Sequence, residues 1–205
     1  MSVTLSVRPR VFSKQLVASA ARKNNATQVL NSLTIGNKPF KKKFEELKKE
    51  MIKEFLNLPI TKEILRGPGA SNISGTLGGY GNLFSFIGFP AGSNPIDPIV
   101  KLLNQTTLNV GRITTRGTLD ITVTLPGKND IFAVTPMPWA TGLSWAQRME
   151  VGLAGYGEYL NTDSPKSRSS KGVQSESNIR AGGFSNRPYI SSFLNKWKDR
   201  FLKME

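Results

Sequence analysis

Between residues 40 and 58 the apolar side chains Phe40, Phe44, Leu47, Met51, Phe55 and Leu58 recur at spacings of three and four, with Lys and Glu filling most of the remaining positions. That period places them on one stripe of a helix, and such a stripe has to be buried against another element. Pro59 ends the run, because proline offers no amide hydrogen and restricts the residue before it. A second short helix is expected over 61–65. On the charged face Glu45 supports Lys49 four residues on, whereas Glu46 and Glu50 repel, so this face reads as solvated.

The periodicity then changes. Residues 67–92 hold eight glycines, and within them the apolar run LFSFIGF at 83–89 reads as a buried strand leaving a glycine-rich loop. Asp97 followed by Pro98 supplies an N-cap and a first-turn proline for a short helix reaching about Leu103. Over 106–126, Leu108, Val110, Leu119, Ile121, Val123 and Leu125 alternate with polar residues around Arg116 and Gly117, the pattern of a hairpin with one wet face. A further strand is expected at 131–136 and a strand or turn over 149–159. The chain closes on a helix at 188–204, where Ile190, Phe193, Leu194, Trp197 and Phe201 form a stripe beside Lys196, Lys198, Arg200 and Lys203. Helix, strands, helix in that order argue for an α+β fold: an antiparallel sheet of about four strands packed with a long helix and a C-terminal helix.

With 205 residues, 38% of them apolar, the chain can bury one core of ordinary size and at most a small satellite. We divide it into a basic N-terminal arm (1–39), an α+β core (40–162), a Ser/Gly/Arg-rich loop (163–187) and the closing helix (188–205). The arm includes a weakly amphipathic stretch at 11–21. Its Arg, Lys, Ser and Ala give it the superficial composition of a mitochondrial transit peptide, but we read it as an arm. The loop has almost nothing to bury, so ordering it calls for a neighbour.

Net charge is +14, and its placement matters more than its size. Residues 1–39 carry +6, 40–65 carry +2, 66–162 only +1, and 163–205 carry +5. Basic ends around a nearly neutral middle dock onto something acidic, either nucleic acid or the negative faces of neighbouring subunits. Arg8, Arg10, Lys14, Arg22, Lys23, Lys166 and Lys171 are the candidates to face DNA or an acidic partner. Only Phe12 and Phe184 interleave the basic tracts, which speaks against base stacking and sequence-specific readout.

Cysteine and histidine are both absent, which removes disulfides, thiolate metal sites, the commonest zinc ligand and the commonest general base. Gly75, Gly78, Gly79 and Gly81 invite comparison with a phosphate-binding loop. They lack a Gly-Lys-Ser/Thr ending, and the element expected after them is a strand. The acidic pairs Glu150 with Glu158 and Asp120 with Asp130 have no spacing that specifies acid–base or metal chemistry. No catalytic, cofactor or metal site is therefore expected, and no stretch is long and apolar enough to span a bilayer.

The tail of the sequence carries a resemblance. RMEVGLAGYGEYLN (148–161), the loop SPKSRSSKGVQSESNIRAGGF and RPYISSFLNKWKDRF (187–201) resemble the C-terminal half of tail-completion and neck proteins of tailed bacteriophages. The helix at 40–58 and the SGTLGGYGNL loop fit in the same order, so the likeness covers about residues 40–203. The segment at 95–103 and the N-terminal arm depart from it. The resemblance implies a small α+β virion subunit, of a contractile-tailed phage, assembled in the host cytoplasm. It would form a hexameric or dodecameric ring at the head-to-tail junction or tail end, contact other neck and tail proteins, and let DNA pass through the lumen. It implies no cofactor. Candidate subunit-interface residues are Trp139, Trp145, Tyr80, Arg168, Arg180, Arg187 and Tyr189. The competing expectation is an RNA-associated structural protein, such as an organellar ribosomal component.

Overall fold

The computed structural model describes residues 2–7, 26–77, 81–113, 119–151 and 189–203. Within them lie seven α-helices and three strands: β1 (Val3–Val7), α1 (Ala26–Asn57), α2 (Pro59–Leu65), α3 (Leu83–Ile87), α4 (Asp97–Asn104), β2 (Thr107–Ile113), β3 (Leu119–Leu125), α5 (Lys128–Ala133), α6 (Trp145–Val151) and α7 (Tyr189–Leu202). The fold is α+β, with three strands among the described residues where about four were expected.

The chain forms two compact units. The first gathers residues 1–54, 100–130 and 194–205, the second residues 55–99 and 131–193.

In the first unit β3 is the central strand of an antiparallel sheet ordered β1-β3-β2. The hairpin read from residues 106–126 is present, with Thr107 opposite Thr124 and Val110 opposite Ile121, and a register shift between Val110 and Ile113. Its partner β1 was not expected at all, since residues 1–39 were read as an arm. Val3 lies opposite Leu125 and Val7 opposite Ile121, so the period-2 string VTLSV completes the sheet. One face is apolar: Ile121, Val123 and Leu125 are fully buried, flanked by half-buried Val3, Leu5, Leu108 and Val110. The other carries Thr4, Ser6, Thr107, Asn109, Thr122 and Thr124.

Helix α1 contains the expected stripe and begins earlier than it, at Ala26. It runs through Pro39, whose missing amide removes one ladder bond without ending the helix. In the first unit Phe44 and Met51 are buried, and the Phe44 ring lies 5.8 Å from Phe201. Phe201 in turn packs 6.0 Å from Trp197, over which the Arg200 guanidinium sits at 4.7 Å. Lys48 donates from Nζ to the Thr106 carbonyl at 3.0 Å. Two surface ion pairs, Lys196 with Glu54 at 2.7 Å and Arg200 with Glu50 at 3.4 Å, tie α7 to α1.

The second unit is helical. Pro59 opens α2 after a break at Leu58, as the sequence dictates. Residues 83–89 are not a strand. Asn82 caps a helix by accepting from the Ser85 amide at 2.9 Å, and Gly88, with φ 82°, ends it in the left-handed conformation. Leu83, Phe84 and Ile87 are buried while Ser85 is exposed, which is helical spacing. The strand expected at 131–136 is likewise replaced, by α5. That helix starts in the first unit, where its third residue, Asp130, reaches back to accept from the Gly127 amide at 2.9 Å, one half of a capping box. Met149 falls in α6. Around Phe55 the rings of Phe193 and Tyr189 lie at 5.3 Å and 6.0 Å, and Trp145 meets Phe89 edge-on at 5.7 Å. No helix among the described residues is long and apolar enough to cross a membrane.

Candidate functional site

Residues 131–145 of the second unit build a narrow loop whose interior is pinned by backbone and hydroxyl contacts. The Trp145 amide donates to the Thr135 carbonyl at 2.9 Å and the Met137 amide to Leu143 at 2.7 Å. Thr135 Oγ1 donates to the Ile131 carbonyl at 2.8 Å and lies 2.7 Å from the buried Ser144 hydroxyl. At the tip, Gly142 takes φ 77°, a region costly for other residues.

This loop holds Trp139 outward. The indole is 48% exposed, yet its Nε1 donates to the Ile87 carbonyl at 2.8 Å. Its edge lies over the left-handed turn at Gly88, where a Cβ would come within 3.2 Å of Trp139 Cδ1. The glycine therefore serves twice, as the helix end and as the floor under the ring. An exposed tryptophan with its donor satisfied and its orientation set offers a flat apolar face at little further entropic cost.

The buried polar groups of the same unit are engaged in holding backbone. Glu63 is fully buried, and its two carboxylate oxygens accept from the Ser74 and Leu83 amides, each at 2.7 Å. Asn82 both caps α3 and donates from Nδ2 to the Pro68 carbonyl at 2.8 Å. Glu63 thus fastens the glycine-rich segment to α2, while Asn82 ties two parts of that segment to each other. That segment does lead into a helix, contrary to the expected strand. The amides of Leu83 and Ser85 are nevertheless already taken by Glu63 and Asn82, so the chain supplies its own anion where a phosphate would sit.

Tyr189 and Thr61, both buried, share a hydroxyl–hydroxyl bond of 2.5 Å. Burial pushes the Tyr189 phenol above its usual range, and the Thr61 bond opposes that shift. Glu150 accepts from the backbone amide and the hydroxyl of Ser191 in the first turn of α7, where the helix has free donors. Among the described residues no three acidic side chains come close enough to hold a metal ion.

Of the candidate interface residues that fall among the described ones, Trp139 lies on the surface. Trp145, 1% exposed, and Tyr189, 6% exposed, are interior: Trp145 starts a helix whose apolar side packs inward, and the Tyr189 hydroxyl is consumed by Thr61. Tyr80, Arg168, Arg180 and Arg187 lie outside the described residues, as do Arg8, Arg10, Lys14, Arg22, Lys23, Lys166 and Lys171, the turn at Arg116 and Gly117, Glu158 and the stretch at 11–21. Glu63 was missed in the sequence, where nothing local separates a buried Glu from the solvated ones on α1. No protein-family model, curated protein or solved structure matches the chain.

Proposed function

We propose that this chain is a structural subunit of the neck or tail of a tailed-bacteriophage virion, assembling into a ring through which DNA passes, and that it is not an enzyme. The observation that carries the reading is Trp139, an exposed indole whose orientation is fixed by the Ile87 carbonyl and the Gly88 turn. Tryptophan is prominent among residues that anchor subunit interfaces, above all where it is preorganised.

Three things support this assignment beside Trp139. Glu63, Glu150 and Asp130 each accept backbone amides, so these carboxylates act as architecture. The charge lies at 1–39 and 163–205, arranged for acidic neighbours or for DNA phosphates. The residues of the tail resemble neck and tail-completion proteins. In this reading Trp139 provides the central apolar contact between adjacent copies, and the basic ends add salt-sensitive attachments around it.

Light scattering of the purified protein tests the proposal. A hexamer or dodecamer free of nucleic acid is expected, and Trp139→Ala should shift the mass toward the 22.5 kDa monomer while leaving the circular dichroism spectrum unchanged. A parent protein that stays monomeric, or that is recovered only with RNA, overturns it. So does locating the chain in an intact particle away from the head-to-tail axis.

A further inference from the structure

Residues 67–96 and 131–147, which supply the Trp139 loop and the turn beneath its ring, contain no charged side chain. Backbone donors are withdrawn there as well. In the turn, the Gly88 amide donates to the Ser85 carbonyl and the Phe89 amide to Phe84, each at 3.1 Å, and Pro90 has no amide hydrogen. In the loop, Pro136 and Pro138 have none either, and the Met137 amide between them donates to Leu143. The indole Nε1 is itself engaged by the Ile87 carbonyl.

Acceptors remain. Pro136 is bridged to Ser144 through hydrogen bonds made by the flanking residues, Met137 to Leu143 and Trp145 to Thr135. In that arrangement the Pro136 carbonyl points away from the bridge, and Pro136 is exposed. Beside it stands the indole, 48% exposed, whose π face attracts positive charge. A neutral surface of carbonyl and π density suits a cation rich in N–H donors. It gives little to an anion or to a strand, both of which need N–H groups from the surface they bind.

Of the two biological cations, arginine fits better. Its planar guanidinium can lie flat on an indole while its N–H groups project sideways toward carbonyls, whereas an ammonium is a compact, strongly hydrated charge. The chain already makes this pairing once, with Arg200 over Trp197 at 4.7 Å. It also has cations to spare: 28 Lys and Arg stand against 14 Asp and Glu. In an assembly of identical copies that surplus recurs with every copy, so neutral acceptor surfaces have to meet part of it.

From this we infer that Trp139 seats an arginine of an adjacent copy, its guanidinium stacked on the indole and donating to the outward carbonyls of the loop, Pro136 among them. The inference rests on the reading of Trp139 as a contact between copies and deepens it by naming the group that meets the ring.

Light scattering of the full chain over a dilution series gives the concentration at which the assembly half-dissociates. Trp139→Leu keeps apolar bulk and loses the π face, and Trp139→Phe keeps a smaller π face. Each of the ten arginines besides Arg200 is changed in turn to Lys, which preserves charge but not the planar fork. Stacking predicts that Trp139→Leu raises the half-dissociation concentration roughly 2- to 30-fold and Trp139→Phe raises it less. At least one Arg→Lys variant should match Trp139→Leu, and the two combined should add little, because both remove the same contact. Circular dichroism spectra should equal that of the parent throughout. The inference is overturned if Trp139→Leu assembles like the parent, if none of the Arg→Lys variants loosens the assembly, or if the effects of the two substitutions add in full. A ring lost in Trp139→Ala yet kept in Trp139→Leu removes the arginine and leaves the assembling subunit standing with an apolar contact. A parent that is monomeric at every concentration removes both.

Discussion

Glu63→Gln removes the one charge that fastens the glycine-rich segment to α2. In the parent, both carboxylate oxygens accept, one from the Ser74 amide and one from the Leu83 amide, at 2.7 Å each, with the residue fully buried. Glutamine has nearly the same shape but only one acceptor. Its NH2 would face one of those amides, leaving a buried donor against a donor. Hydrogen bonds to a charged group contribute ~1.5–3 kcal/mol, and an unpaired buried donor costs ~1–3 kcal/mol. The two figures overlap because they describe the same contact from opposite sides, so the expected loss is about 1.5–3 kcal/mol. For a chain of this size that lowers the thermal midpoint by roughly 3–12 °C. Circular dichroism melting measures it, and hydrogen exchange locates it: the Ser74 and Leu83 amides should lose protection first. Glu46→Gln, on the exposed face of α1, is the control and should stay within about 0.5 kcal/mol of the parent. A Glu63→Gln midpoint as high as that of the control would refute the claim that this carboxylate anchors the segment.

Four other outcomes follow from the contacts described. Tyr189→Phe leaves the buried Thr61 hydroxyl without its partner and should cost about 1–2 kcal/mol by chemical denaturation, with Thr61→Val restoring part of it. The same phenol gives a pH dependence. Its folded pKa is raised above the ordinary value of 10.0, so its contribution to stability is fully present below that pH. As the pH rises further only the unfolded state ionises, and stability falls by up to about 1.4 kcal/mol per pH unit, a slope that Tyr189→Phe should flatten. Gly88→Ala forces a Cβ into a left-handed residue and against the edge of Trp139, so we expect ~1–2 kcal/mol of destabilisation and a shifted tryptophan emission; an unchanged denaturation curve would argue against the indole's seat on this turn. Lys196→Met breaks an ion pair whose lysine is 55% exposed, and should cost under about 1 kcal/mol, vanishing in molar salt.

How much of this was legible in the sequence depended on the length of each signal. The stripe from Phe44 to Phe55 and the hairpin alternation from Leu108 to Leu125 repeat often enough that only one period fits each. LFSFIGF was misread because a short apolar run suits a buried strand as well as a buried helix. The deciding residues were its neighbours, Asn82 as a cap and Gly88 as a left-handed stop. VTLSV alternates like a strand, but its partner lies at the far end of the hairpin, and nothing local announces a pairing over that separation. The tryptophans show the limit most plainly. Trp139 and Trp145 both sit among Pro and Gly residues, yet the loop closed by Thr135 and Ser144 turns one out and the other in.

The Glu150–Ser191 contact has a consequence for how this protein can vary. It joins positions 41 residues apart, and so brings the two ends of everything between them to one point. Because one carboxylate grips both a backbone amide and a hydroxyl in the first turn of α7, the point where the chain leaves α6 and the point where it begins α7 are set by the same side chain. A single substitution at Glu150 would therefore release the end of one helix and the start of another together.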